Sequence, residues 1–447
     1  MKNKLITLFS LCLSMVAFAQ EVPTSFSLQE AIDYALIHNR TAKNASRDIK
    51  MAEEKKWETT ATGLPQIDAA VDYQNWLKQQ VSLLPAEITG GPPGTFIPVE
   101  FSQKQNIGAT ATLRQLLFDG SYLVGLQASK VYLEISQNAK IKTDLEVRKA
   151  VINAYGNVLV TNESLKIIES NRAILESNLI EIQKTYENGL EEEESLEQIK
   201  ISLSSLISDL NNVKRLKILA HQMLNITLGI DLNSKIILTD NLEMLSLQYT
   251  SLEALAADDS VENTIDYLIA ENDVESKDLF VKLAMSKGMP TLSAFVNGGY
   301  SAFNENFGFT RSDQKWYASS MFGVSLNIPI FSSLGRSAAT QQARIDLEKA
   351  HETLIDTEQQ LKLQISTAKS EYQFAIEDYA NKKQNLNLAE SIERKNETKF
   401  FEGIASSFDL RQAQMQLYQA QQEYLQAMID IINKKAELDA ILNTTQL

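Results

Sequence analysis

From Leu196 to Thr227 the chain reads in steps of three and four as Leu196, Ile199, Leu203, Leu206, Leu210, Val213, Lys217, Ala220, Leu224 and Thr227, with Lys217 the one charged exception. That spacing is an a/d seam and predicts a long helix packed against another helix. About 214 residues later the register returns as Leu410, Ala413, Leu417, Ala420, Tyr424, Ala427, Ile431, Leu438 and Ile441, again interrupted by a lysine, Lys434. One period repeated at a fixed offset predicts a duplicated chain. A glycine precedes each seam at the same distance, in Gly189-Leu190 and Gly403-Ile404. Glycine accepts the positive φ that ends a helix, so each marks the expected tip of a helical hairpin.

Between the seams the period changes from helical to two. Ser27 with Glu30 reads as a capping box that starts a helix running unbroken to about Thr62, where Gly63-Leu64-Pro65 stops it. Ile67, Ala69, Val71 and Tyr73 then alternate with Asp68, Ala70, Asp72 and Gln74, and Ile107, Ala109, Ala111 and Leu113 alternate with Gly108, Thr110, Thr112 and Arg114. The same plan follows in the second half, where Leu292 to Tyr300 and Phe322 to Ile330 alternate after Gly288-Met289-Pro290. Apolar residues on one face and small or polar ones on the other are the pattern of barrel strands around a wet lumen. Pro329 marks a strand end or an edge.

The expected fold is α+β, a duplicated helix-strand-strand-helix repeat. The first repeat is placed at 20–229, with strands at about 65–76 and 106–118. A connector at 230–260 fits neither strand nor seam, and the second repeat covers 261–447, with strands at about 290–301 and 320–331. The halves differ mainly in the first strand-to-strand loop, which holds Gly90-Gly91-Pro92-Pro93-Gly94 and is about twelve residues longer. Between Ser121 and Asn188 nothing breaks the helical pattern, so a helix of roughly 100 Å is expected there.

Lys2 and Lys4, an apolar run from Leu5 and Ala17-Phe18-Ala19 form a secretory signal over residues 1–19, too short to span a bilayer. The single cysteine, Cys12, falls inside it, so the mature chain is expected to have no thiol. No later apolar run is long enough for a transmembrane helix, leaving strands as the only means of crossing. With 57 acidic against 42 basic residues, a nucleic-acid partner is not expected. His38, His221 and His351 stand apart without second ligands at metal spacing, and no nucleophile, phosphate-loop or dinucleotide motif appears. No enzymatic role, cofactor or metal is expected.

The ordered features Ser27-Leu28-Gln29-Glu30-Ala31, Leu64-Pro65 and Met289-Pro290, the exits Leu117-Phe118-Asp119-Gly120 and Pro329-Ile330-Phe331, and the paired tip glycines together resemble the TolC-like outer-membrane efflux protein family. The resemblance covers nearly all of the mature chain. It implies a homotrimer in which each chain gives four strands to one twelve-stranded barrel in outer-membrane lipid. It also implies a long periplasmic tunnel of helices, fed by an inner-membrane pump of RND or ABC type through a periplasmic adaptor. The adaptor would dock at the tips, here Gly189 with Leu190 and Gly403 with Ile404. The family narrows its periplasmic end with acidic residues six and nine positions after the second tip glycine, which are Asp409 and Gln412 here, so one acidic ring is kept. Copies of Asp409 meeting at such a ring would repel, raising their proton affinity and favouring a trapped cation. Ala405 replaces the arginine of the family's closed lock, and Arg411 with Glu191 to Glu194 are candidates for another lock. A secreted coiled-coil scaffold without a pore is the alternative, set against the two-faced strands.

Overall fold

The computed structural model describes residues 23–252, 255 and 260–443; the expected signal over 1–19 lies outside them. The described residues form two compact units, one from 50–135 and 271–353, the other from 23–49, 136–270 and 354–443. Each unit draws on both halves of the sequence, so the units cut across the expected repeats. Strands from both halves bond into one sheet, and helices from both halves share one core.

The first unit is organised by a four-stranded antiparallel sheet built from Gln66–Asn75 (β2), Gln105–Asp119 (β5), Thr291–Asn304 (β7) and Tyr317–Asn327 (β8), in the order β2-β5-β7-β8. Its register aligns the period-two pattern across all four strands. Ile67, Leu113, Val296 and Phe322 form one cross-strand row, and Val71, Ala109, Tyr300 and Ala318 another on the same face. The opposite face carries Asp68, Thr112 and Asn297, with an Asn297 Nδ2 to Thr112 Oγ1 hydrogen bond of 2.7 Å and an Arg114–Asp68 ion pair of 3.8 Å. A bulge between Leu116 and Phe118 inserts one residue, which restores Phe118 to the apolar face beside Leu292 and Leu326. β8 stops at Asn327, short of the expected 331, because Pro329 has no N–H to give a ladder. It is also an edge strand, so both meanings read from that proline hold. The long first loop, rich in Gly and Pro, contains a second antiparallel ribbon, Val81–Pro85 (β3) with Phe96–Glu100 (β4).

The second unit is helical around a mixed core. Its opening helix is broken in two where one was expected, Leu28–His38 (α1) and Arg40–Ala61 (α2), the latter running on into the sheet unit. Asn39 makes the break with φ −57° and ψ 138°, and its Oδ1 accepts from the backbone N of Thr41 at 2.8 Å and of Ala42 at 3.3 Å. Its Nδ2 donates to the Thr227 carbonyl at 2.8 Å. The neighbouring Gly229 has φ +80°, and a Cβ there would lie 2.4 Å from the His38 carbonyl oxygen, so the crossing chain fixes where the helix breaks.

The long helices are Gly120–Glu187 (α3), Glu193–Leu228 (α4), Gly335–Phe401 (α7) and Ser407–Ile441 (α8), and α3 and α7 each contribute to both units. A shorter helix, Ile265–Ser286 (α6), leads into β7. Both seams are buried: Leu196, Ile199, Leu206 and Leu210 pack with Ile168, Leu175 and Ile182, and Leu417 and Ala420 pack with Ala389. Lys434 leaves its seam by reaching the Glu371 carboxylate at 2.6 Å, so an apolar stem covers the core while the charge is paired at the rim.

The 230–260 connector is part of the core. Ile237–Leu238 (β6) pairs in parallel with Ser25–Phe26 (β1), and Leu242–Gln248 (α5) packs on α8. Asp240 Oδ2 accepts from the Leu28 backbone N at 2.6 Å and lies 2.8 Å from the Tyr155 hydroxyl. Burial first, and the Asp240 carboxylate second, push the Tyr155 hydroxyl far above its ordinary pKa. It remains a neutral hydrogen-bonding group.

Candidate functional site

Two regions hold the expected function-bearing residues: the sheet, and the paired hairpin tips of the helical unit. Each tip is one backbone motif used twice. Gly189 has φ +73°, its N–H donates to the Tyr186 carbonyl at 2.8 Å, and the Leu190 N–H donates to the Thr185 carbonyl at 3.0 Å. Gly403 has φ +71°, with Gly403 N–H to Phe400 at 3.0 Å and Ile404 N–H to Lys399 at 2.8 Å. These are Schellman closures, in which the residue after the glycine usually folds back on its helix. Here Leu190 and Ile404 stay 78% and 72% exposed, so both tips present an apolar side chain to solvent. A Cβ at either glycine would meet nothing within 4 Å, so glycine is required by φ alone.

Ser195 Oγ and Ser407 Oγ lie 2.7 Å apart and join the two hairpins near their tips. A cleft of about 420 Å³ beside them is lined by Leu190, Glu191, Glu194, Ser406 and Phe408. Sequence periodicity could not single out this serine pair, because the two residues are distant in the chain and sit in ordinary helix-start positions.

Asp409 is exposed and sits in a capping box. Its Oδ2 accepts from the Ser406 backbone N at 3.1 Å and from Ser406 Oγ at 2.7 Å, while the Asp409 N–H donates to Ser406 Oγ at 3.2 Å. The Ser406 side-chain bond first, then its backbone bond, hold the Asp409 carboxyl below its ordinary pKa. Within one chain, capping thus favours the ionised form, opposite to the effect expected from repulsion between copies. Gln412 is exposed one turn further along α8. Arg411 lies over the Phe408 ring, 5.5 Å from its centroid, and among the described residues no ion pair joins it to Glu191–Glu194. Arg411 and the Glu191–Glu194 run are therefore not joined by an ion pair within this chain.

Further along the hairpins, Asn171 Nδ2 donates to Gln421 Oε1 at 3.0 Å, linking α3 to α8. One heptad nearer the tips, Asn178 Nδ2 is buried without a partner, and Gln414 is buried beside the Glu393 carboxyl. Burial first, and repulsion from Glu397 second, raise the Glu393 carboxyl above its ordinary pKa beside Gln414. Sequence periodicity does not reveal this polar stretch, because amides beside a seam read as ordinary flanking positions.

Two of the histidines have structural surroundings of their own. His38 stacks on Tyr34 at 4.1 Å, and burial first, then Lys43, lower its pKa. His221 is lowered by burial and then by Lys217. Among the described residues no helix is long and apolar enough to cross a membrane.

Residues 258–444 match the family model described as outer membrane efflux protein. Solved structures extend the likeness over the remainder at the level of fold. VceC, an outer membrane protein from Vibrio cholerae, aligns with a TM-score of 0.70 at 17% identity, over 93% of this chain and 96% of its own. The Campylobacter jejuni CmeC outer membrane channel aligns with a TM-score of 0.70 at 16% identity, over 96% and 90%. The open-state Neisseria gonorrhoeae MtrE outer membrane channel gives 0.71 at 15% identity, over 93% and 89%. No curated protein sequence matches the chain.

Proposed function

We propose that this outer membrane efflux protein is the passive exit duct of a tripartite efflux or type I export system. It is anchored in outer-membrane lipid, extends into the periplasm and has no catalytic role. The observation that carries this reading is the sheet: four strands with two open edges, one face mainly apolar, with rows such as Ile67-Leu113-Val296-Phe322, and the other carrying Asp68, Thr112, Asn297 and Arg114. Four strands cannot close a membrane barrel, since about eight is the minimum. Copies must therefore share the β2 and β8 edges, and three copies give a twelve-stranded barrel. A soluble coiled-coil scaffold has no use for such rows, which disfavours that alternative.

In this reading the tips Gly189-Leu190 and Gly403-Ile404 receive a periplasmic adaptor carrying cargo from an inner-membrane pump. Asp409, with Gln412 beside it, narrows the periplasmic end. Purified in detergent, the protein is expected to run as a trimer and to conduct ions in planar bilayers; a monomer soluble without detergent would reject the channel. Asp409→Asn should weaken block by multivalent cations added on the tip side while trimer yield is unchanged. Identical block in both proteins on single channels removes Asp409 from the gate.

A further inference from the structure

The β3–β4 ribbon is the largest feature of the sheet unit that the channel reading leaves unused. Its register puts Val81, Leu83, Pro85, Phe96 and Pro98 on one face, with Glu100 opposite Val81 at the end of the row. That face is bare: Val81 is 48% exposed, Leu83 66% and Phe96 60%. A two-stranded ribbon is marginal in water by itself, and a run of exposed apolar side chains marks a contact surface. The chain does cover aromatic groups in its other strand-to-strand loop, where Phe309 is 7% exposed and packs with Phe307 and Tyr73 at ring distances of 5.6 and 6.0 Å. The ribbon has no such cover.

Two observations select its occupant. β2 has 10 residues, already the length that crosses a bilayer as a tilted strand, so the ribbon that follows it stands beyond the lipid. The ribbon links β2, an edge strand of the sheet, to its neighbour β5, so it stands beside the edge where copies of the chain must meet. We infer that the apolar ribbon faces of neighbouring copies pack against one another at the end of the barrel remote from Pro65 and Pro290. They form an apolar constriction over the outer mouth of the pore. This rests on the trimeric channel reading and adds a second narrowing to it, one that acts by excluding water rather than by charge.

The test uses the full chain, whose one cysteine lies at position 12. Leu83→Cys in purified trimers should crosslink between copies with a short bis-maleimide and resist a membrane-impermeant maleimide. The double substitution Leu83→Ser with Phe96→Ser should raise single-channel conductance about twofold or more by wetting the constriction. If the protein is trimeric and conducting but Leu83→Cys labels fully from water without crosslinking, the ribbon packing is overturned and the channel stands. Reaction only with a lipid-soluble maleimide would place the face in the membrane and overturn it equally. Unchanged conductance of the double variant removes the constriction even where crosslinks form. A monomeric, non-conducting protein fails the channel reading itself, and the ribbon inference with it.

Discussion

The two hairpin tips share a backbone and differ in charge. Both close with a glycine near φ +70° and the same pair of backbone hydrogen bonds, and both leave the next apolar residue exposed. The helix starts beyond the two turns diverge. The second helix starts from the Ser406–Asp409 capping box, whereas the first starts at Glu192 with no side-chain cap and carries four glutamates from Glu191 to Glu194. Acidic side chains at a helix start interact favourably with the macrodipole, so the glutamates replace a specific cap with a diffuse field. The turn is thus the common geometric element of the tips, while their electrostatics are specific to each.

The largest effect is expected from breaking the shared element. Gly403→Val forces a branched residue into positive φ at about 1–2 kcal/mol, and should abolish adaptor crosslinking and export, as should Gly189→Val. Gly403→Asn, which tolerates that region, should retain most of both. Export and crosslinking intact in Gly403→Val would remove the tips from docking. A smaller effect should come from erasing the difference between the tips. Changing Glu191–Glu194 to glutamine should alter the adaptor association rate about tenfold at low ionic strength, with the gap closing in high salt. A gap that persists at high salt would mean the glutamates act by shape. The smallest effect concerns the cap. The Asp409 pKa is lowered in the folded tip, so its contribution is fully present above the unfolded carboxyl value and is lost as pH falls through the folded one. Amide protection factors at the start of α8, exchange relative to the intrinsic rate at each pH, should therefore fall on acidification through that window. Ser406→Ala should remove the pH step, and the start of α4, which lacks such a box, should show none from this source.

The elements themselves were legible because they depend on local periodicity. Seams at Leu196–Leu210 and Leu410–Ala420, alternation at Ile67–Tyr73 and Leu292–Tyr300, and the tip glycines each announce themselves within a few residues. The tip residues were likewise readable, because a positive φ demands glycine at the position itself. Where the structure departs from expectation, the deciding partner is distant in the chain. The break at Asn39 depends on Thr227 and Gly229, and the ordering of the connector depends on Asp240 meeting Leu28 and Tyr155. The Ser195–Ser407 link and the buried amides of Asn178 and Gln414 arise only when two hairpins lie side by side. Sequence alone therefore determined the helices, the strands, their apolar faces and the turns, since each is set by neighbours within a turn or a pleat. Tertiary structure decided where a helix breaks, which polar groups are satisfied and that strands from both halves share one sheet. Those outcomes depend on contacts between residues that no local pattern encodes.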